Sequence, residues 1–454
     1  MPPAVRGLRS PVGGRRILTL AVAPQSDNGA QSFECAEFPS CRSSVAFAVV
    51  FEGIRRPADD VRDAARHHDR VDAEDFRPVR AAVRQLVRES VLPREEEIED
   101  GDRIPDDLRA RAADMGLFGY ALPEEYGGLG VTMSEDVQLA VEFGYTTPAF
   151  RSLFGTNNGI AGQVIAKFGS AEQKQRYLPR LAAGEMVGSF ALTEAEAGSD
   201  PAGLRTSARR DGDGWVINGS KRYITNAPIA DLFVVFARTD PEQGGGRGIS
   251  SFVVEASTPG VTVGPHDKKM GQSGAWTAEV FLDDVRVPGD ALIGEEGRGY
   301  AKALTVLSRG RLHIAALCVG MAERVLDESV AYAATAKQGG APIGRFQLVQ
   351  AMLADSHAEL LAARSMVRDV AARYDSGEDT SVGPSSAKLF CTEMVGRAVD
   401  RAVQVHGGMG YLRTTPVERF YRDARLFRLY EGTSEVQRLI IGGALLRDAG
   451  MPRA

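Results

Sequence analysis

Paired cysteines, clustered histidines, a long apolar run and a surplus of basic residues are all missing from this chain. Its four cysteines, Cys35, Cys41, Cys318 and Cys391, are scattered, and none forms a Cys-x-x-Cys pair. That argues against a disulfide framework or a zinc site, and reduced thiols fit a cytoplasmic protein. The six histidines lack metal-ligand spacing as well, so no metal is expected. No apolar run approaches the length needed to span a bilayer, which argues against a membrane partner. A net charge of −6 lacks the clustered Lys and Arg that phosphate binding needs, so nucleic acid is not an expected partner. No Gly-x-Gly-x-x-Gly follows a strand. His406-Gly407-Gly408-Met409-Gly410 closes a helix, so a Rossmann reading fails on context. Gly244-Gly245-Gly246 lies between strands with no helix after it, so it is a poor phosphate cradle.

What is present is a globular composition, with 43% apolar and 25% charged residues in 454, enough for two or three domains. Residues 1–71 stand apart. They hold Arg6, Arg9, Arg15 and Arg16 before a short apolar stretch from Ile17 to Ala23. A secretion signal or an Arg-rich transit peptide stays open, but the first choice is a disordered extension or a start placed too far upstream. Residues 72–188 read as helical, with Val79, Val83, Leu86 and Val87 at helical spacing and a second helix starting at Ile104-Pro105. Residues 189–296 change to short β-rich runs. Trp215-Val216-Ile217, Asn218-Gly219 and Lys221 to Thr225 predict a hairpin with Asn-Gly as its turn. Residues 297–454 are helical again. Phe346, Val349, Leu353, Leu360, Val367 and Val370 mark one face of a long helix that ends near Asp375-Ser376-Gly377.

One acid stands out. Glu431 lies between Tyr430 and Gly432-Thr433-Ser434, where a helix should break and another begin. A carboxylate at such a junction can reach into a cleft and take a proton, provided burial raises its pKa.

At this motif the chain resembles the acyl-CoA dehydrogenase family. Six blocks carry the likeness in the family's order. They are Leu122-Pro123-Glu124-Glu125-Tyr126-Gly127-Gly128, Phe190-Ala191-Leu192-Thr193-Glu194 with Ala197-Gly198-Ser199-Asp200, Tyr223-Ile224-Thr225-Asn226, Asp284-Val285-Arg286-Val287-Pro288, Gln404-Val405-His406-Gly407-Gly408-Met409-Gly410, and Tyr430-Glu431-Gly432-Thr433. The resemblance implies an α+β chain: an all-helical N-terminal domain, a barrel- or sandwich-like β domain, and a C-terminal four-helix bundle. It implies FAD as cofactor, held by Phe190, Leu192, Thr193, Ser199, Tyr223 and Thr225, with Gln347, Gln404, Val405, Gly407, Gly408, Thr433 and Glu435 near a flavin or its adenine end. Some of these would serve a neighbour's flavin in a homotetramer or homodimer. Acyl-CoA would meet Ser199, Ser308, Arg311 and Gly432.

The implied reaction is concerted α-proton removal by Glu431 and hydride transfer to the flavin, with electrons passed on to an electron-transferring flavoprotein. The thioester oxygen would meet the Glu431 N–H and a ribityl hydroxyl. Some relatives carry the base beside Arg311; here that position is Gly310, which leaves Glu431. Three positions depart from the family's usual residues. Ala336 and Gly339 replace an Arg and a Phe that help hold a flavin pyrophosphate, with Lys337 as a possible substitute charge. Ser308 replaces an Asp, and Ser273 an Arg. A same-fold flavin oxidase or hydroxylase, or a flavin-binding scaffold, stays open at this point.

Overall fold

The computed structural model describes residues 76–451. The expectations for residues 1–71 lie outside the described residues. Seven helices open the structure: α1 (Arg77–Leu86), α2 (Glu95–Gly101), α3 (Asp106–Asp114), α4 (Met133–Gly144), α5 (Pro148–Gly159), α6 (Ala161–Phe168) and α7 (Ala171–Ala182). On α1 the periodic Val79, Val83 and Leu86 are the buried face. Capping boxes start α4 and α7. Thr132 and Glu135 exchange bonds with each other's backbone N–H, as do Ser170 and Gln173.

Seven strands follow: β1 (Gly188–Ala191), β2 (Ser207–Asp211), β3 (Gly214–Thr225), β4 (Leu232–Arg238), β5 (Ile249–Glu255), β6 (Val261–Val263) and β7 (Thr277–Val287). They form one mixed sheet in the order β1-β4-β2-β3-β7-β6, with β5 also on β4. Inward side chains of β1, β2, β3, β4, β5 and β7 share one core, as a barrel- or sandwich-like domain requires. Strand β4 reads as an unbroken apolar run because both its faces are covered. Phe233 and Val235 enter that core, and Leu232, Val234 and Phe236 pack against helices.

The predicted Asn-Gly hairpin is not there. Asn218 and Gly219 lie inside β3, at a register shift against β7. The Asn218 side chain bonds both the Asp284 N–H and its carboxylate, so it pins the neighbouring strand and makes no turn. The tight turn falls one step earlier, at Gly212-Asp213 between β2 and β3, and β2 was not anticipated.

The last third holds α8 (Gly299–Thr335), a two-residue ribbon β8 (Lys337–Gln338) and β9 (Ala341–Pro342), α9 (Gln347–Asp375), α10 (Val382–His406), α11 (Pro416–Phe427) and α12 (Ser434–Asp448). Helix α8 is the spine and packs along α9, α10 and the N-terminal α4. Its backbone touches that of α4. A Cβ on Gly144 would lie 2.1 Å from the Leu317 carbonyl oxygen, and one on Gly320 would lie 2.0 Å from that of Val141. The expectation that no segment is long and apolar enough for a bilayer needs correcting. Among the described residues α8 meets that test, but 83% of its apolar window is buried against other helices, the mark of a core helix. Buried Glu95 ties the first and last helical regions together, pairing with Arg324 on α8 at 3.3 Å and Arg419 on α11 at 2.5 Å.

Candidate active site

Helix α11 ends by closing its last turn, where the Leu429 N–H donates to the Leu426 carbonyl at 2.8 Å. Glu431 and Gly432 then both take positive φ, 55° and 88°. The Thr433 hydroxyl accepts the Val436 N–H at 3.3 Å and caps α12. Two left-handed residues in succession throw the Glu431 side chain off both helices and against α8. The space it fills exists because residue 310 is glycine: a Cβ there would lie 2.9 Å from Glu431 Oε2.

Glu431 Oε2 is buried and has no hydrogen-bond partner among the described residues. Burial pushes the carboxyl above its ordinary value, and Arg151, Arg311 and Lys388 each hold it back. The Glu431 N–H likewise donates to no described residue. A raised, unpaired carboxylate beside a free N–H suits proton abstraction next to a carbonyl.

The cations come from three elements. Arg151 on α5 is oriented by a buried relay. Its Nε donates to His313 Nε2 at 2.8 Å, and His313 Nδ1 meets Asp136 at 2.7 Å. Burial and the nearby Arg151 push His313 down, so the ring is neutral and its one proton sits on Nδ1. Asp136 also takes Arg309 at 2.7 Å. Arg311 on α8 is buried beside Glu431, so it is no surface arginine; burial pushes it down and Glu431 pulls it up. Lys388 on α10 is fully buried, and its Nζ donates to the Gly432 carbonyl at 2.7 Å.

A second group forms on the sheet. Arg222 N–H donates to the Thr193 carbonyl at 2.9 Å, and the Ser189 hydroxyl to the Thr225 carbonyl at 2.8 Å. These bonds bring Phe190, Leu192, Thr193, Tyr223 and Thr225 to one edge. The Thr193 and Thr225 hydroxyls are half-buried and engage no described residue. Tyr223 has a φ of 58° and a 62% exposed side chain. Free hydroxyls beside an open aromatic ring fit the edge of a flavin. Leu192 is buried and Phe190 packs on Phe236, so Leu192 offers backbone more than side chain. The edge docks on α5 through Asn226, whose amide donates to the Ser152 carbonyl at 2.8 Å. Arg151, one residue away, reaches toward Glu431, so α5 joins the two groups.

Other expected residues stand apart. Ser199 is exposed in the loop after β1. The Ser308 hydroxyl already donates to the Thr380 carbonyl, so that hydrogen is not free for a CoA. Gln347 is exposed at the start of α9; Gln404 is exposed and Val405 buried at the end of α10, with Gly407 and Gly408 exposed just beyond. Glu435 is exposed in the first turn of α12. Gln347, Gln404, Gly407 and Gly408 have no side-chain hydrogen bond to either group among the described residues.

Sequence reasoning missed Arg151, Lys388 and Gln437. A signal existed for two of them. Lys388 shares a helical stripe with Cys391 and Val395, and Arg151 sits between Phe150 and Leu153-Phe154, so each is a charge where the pattern calls for an apolar side chain. Gln437, which donates to the Glu431 carbonyl at 3.2 Å, carries no such mark.

Comparison with known proteins shows the family. The acyl-CoA dehydrogenase N-terminal, middle and C-terminal domains match residues 73–185, 189–285 and 297–446. The probable acyl-CoA dehydrogenase FadE25 of Mycobacterium tuberculosis is 40% identical over 375 residues, 82% of this chain and 96% of the relative. The caffeyl-CoA reductase-Etf complex subunit CarC of Acetobacterium woodii is 37% identical over 352 residues, 78% of this chain and 93% of the relative. The crystal structure of a Bacillus anthracis acyl-CoA dehydrogenase complexed with FAD superposes with a TM-score of 0.78 at 35% identity, covering 83% of this chain and 68% of that one. With all three domains matched in order, this chain belongs to the acyl-CoA dehydrogenases, FAD-dependent oxidoreductases.

Proposed function

We propose that the chain removes the α- and β-hydrogens of an acyl-CoA thioester to give the 2-enoyl-CoA, with Glu431 as the base. The observation that carries this is the Glu431 carboxylate: buried, unpaired at Oε2, and given its space by Gly310. Glu431 takes the α-proton. Its own N–H, which no described residue accepts, is placed to meet the thioester oxygen as that oxygen gains charge. FAD, when bound, would supply the acceptor for the hydride of the β-carbon. Thr193, Thr225 and Tyr223 are the residues that would orient it, and Arg311 would hold the substrate near the base. Electrons then pass to an electron-transferring flavoprotein, a reading supported by the Etf complex of the CarC relative. The exposed Gln404, Gly407 and Gly408 fit a flavin of a second subunit, in a homodimer or homotetramer. The buried free thiols of Cys318 and Cys391 are compatible with a reducing, cytoplasmic place, and a role in fatty acid metabolism follows from the acyl-CoA reading alone.

Glu431→Gln keeps the shape but cannot take the proton. Under anaerobic conditions the wild-type flavin should bleach with at least one member of an acyl-CoA panel, and the variant should lose nearly all of that rate while staying yellow. Near-wild-type bleaching by the Gln variant would remove Glu431 from the role. Because burial raises the Glu431 carboxyl, the wild-type rate should fall with acid at a pH above the ordinary carboxylate range.

A further inference from the structure

We infer that Lys388 is a positioning residue for the base: its ammonium group, enclosed on α10, holds the Gly432 carbonyl and so fixes the Glu431–Gly432 turn against α8. This rests on Glu431 being the base.

The turn needs holding. A glutamate at a φ of 55° is in a backbone region that costs about 1–3 kcal/mol and persists only where its surroundings over-determine it. Two side chains supply that. Lys388 Nζ reaches the Gly432 carbonyl at 2.7 Å from α10. Gln437 Nε2 reaches the same carbonyl at 3.0 Å, and that of Glu431 at 3.2 Å, from α12. The turn is therefore gripped between two helices, with Gly310 of a third facing its carboxylate.

The grip alone does not explain a lysine. A neutral donor could bond one carbonyl, whereas a fully buried ammonium is costly unless compensated. What faces Lys388 is Cys318 and Arg311 from α8, Glu431 from the turn, and Glu393 on its own helix. Burial pushes its ammonium down to about 8, so it is still charged at neutral pH. What faces Glu431 is Arg151 from α5, Arg311 from α8 and Lys388 from α10. Lys388 alone of these three cations bonds the turn itself. Its bond sets where the carboxylate points, and its charge favours the ionised form that can accept a proton.

Lys388→Met removes both bond and charge, and Lys388→Gln keeps a donor without the charge. Both are measured as holoenzyme for flavin content, melting temperature, and the pH dependence of kcat and kcat/KM with the best acyl-CoA. Lys388→Met should lower kcat by about 10–100-fold, the scale of a misplaced catalytic group, with little change in KM. Its acid limb should move to higher pH, since the lost positive charge lets Glu431 hold its proton longer. Lys388→Gln should recover part of kcat yet keep the shifted limb. If Lys388→Met does not fold, the limb in Lys388→Gln decides. Folded, flavin-bearing variants with a wild-type acid limb would overturn the inference, as would failure of both to fold, which would make Lys388 a purely structural residue. Glu431→Gln is run alongside. If that variant stays active, the functional reading itself fails; if it is dead while the Lys388 variants match wild type, only the Lys388 inference fails.

Discussion

Gly310 faces the Glu431 carboxylate so closely that a Cβ would lie 2.9 Å from Oε2. At the scale of single residues this is a pairing of an acid with an absence. Gly310→Ala should therefore push Glu431 out of register while leaving the rest of α8 intact, since alanine suits a helix better than glycine. The acyl-CoA-dependent bleaching rate should fall by about 10–100-fold with flavin content unchanged. A wild-type rate in that variant would mean that the carboxylate works from another rotamer. The acid was legible in the sequence because Gly-Thr-Ser after it spells a helix break. Arg311 came with the family resemblance, but the approach of Arg151 and Lys388 to the acid did not: each shows in the sequence only as a charge in an apolar pattern, and the packing of their helices is not a local signal. The partner of the Ser308 hydroxyl could not be read for the same reason: only the fold brings the Thr380 carbonyl to it.

Elements show the same division between local and distant causes. The apolar face of α1, the Leu360, Val367 and Val370 part of the α9 face, and the helix stop at Asp375 follow from short-range chemistry and could be read directly, whereas Phe346 lies before α9 and is exposed. The Asn218-Gly219 pair could not, because the partner that keeps it extended, Asp284, lies on β7. Helix α4 gives the sharpest test at this scale. Its Asp136 is the single acid in a buried cluster with Arg309, His313 and Arg151. Burial pushes the Asp136 carboxyl up, but those three outweigh it and hold it at about 2. Asp136→Asn leaves the Arg309 charge buried without its partner, which should cost about 3–5 kcal/mol in chemical denaturation at neutral pH. The native carboxyl is depressed below its unfolded value. Its contribution is therefore complete above about pH 4 and fades as pH falls toward 2. The stability gap between wild type and variant should narrow over that window, by about 2 kcal/mol. A gap independent of pH would show that the loss is packing and not charge.

For the whole molecule, the sheet edge with Thr193, Tyr223 and Thr225 and the helical cluster around Glu431 are joined through α5 within one chain. The other expected flavin contacts, Gln404, Gly407 and Gly408, are exposed and lie apart from both groups. The loop before α9 belongs to that set. Ala336 precedes β8, and Gly339 and Gly340 make its turn to β9 with φ of 59° and 84°. Neither Ala336 nor Gly339 supplies an arginine or an aromatic; Arg345 and Phe346 stand further along, directly before α9. Lys337 is exposed on β8 and is the nearest charge in the ribbon. A guanidinium would add a charge-assisted bond to phosphate that a lysine point charge replaces only in part. Wild-type enzyme should accordingly lose flavin on dilution. Ala336→Arg should slow that release by about tenfold, the effect of one added hydrogen bond to a charged group. The gain should shrink at high salt, because the ribbon is solvent-exposed and its charges are screened there. Flavin fluorescence after dilution measures both. An unchanged release rate at low salt would place the pyrophosphate away from this ribbon, held by helix-end amides or other cations, and the departure at Ala336 would then carry no cost in cofactor binding.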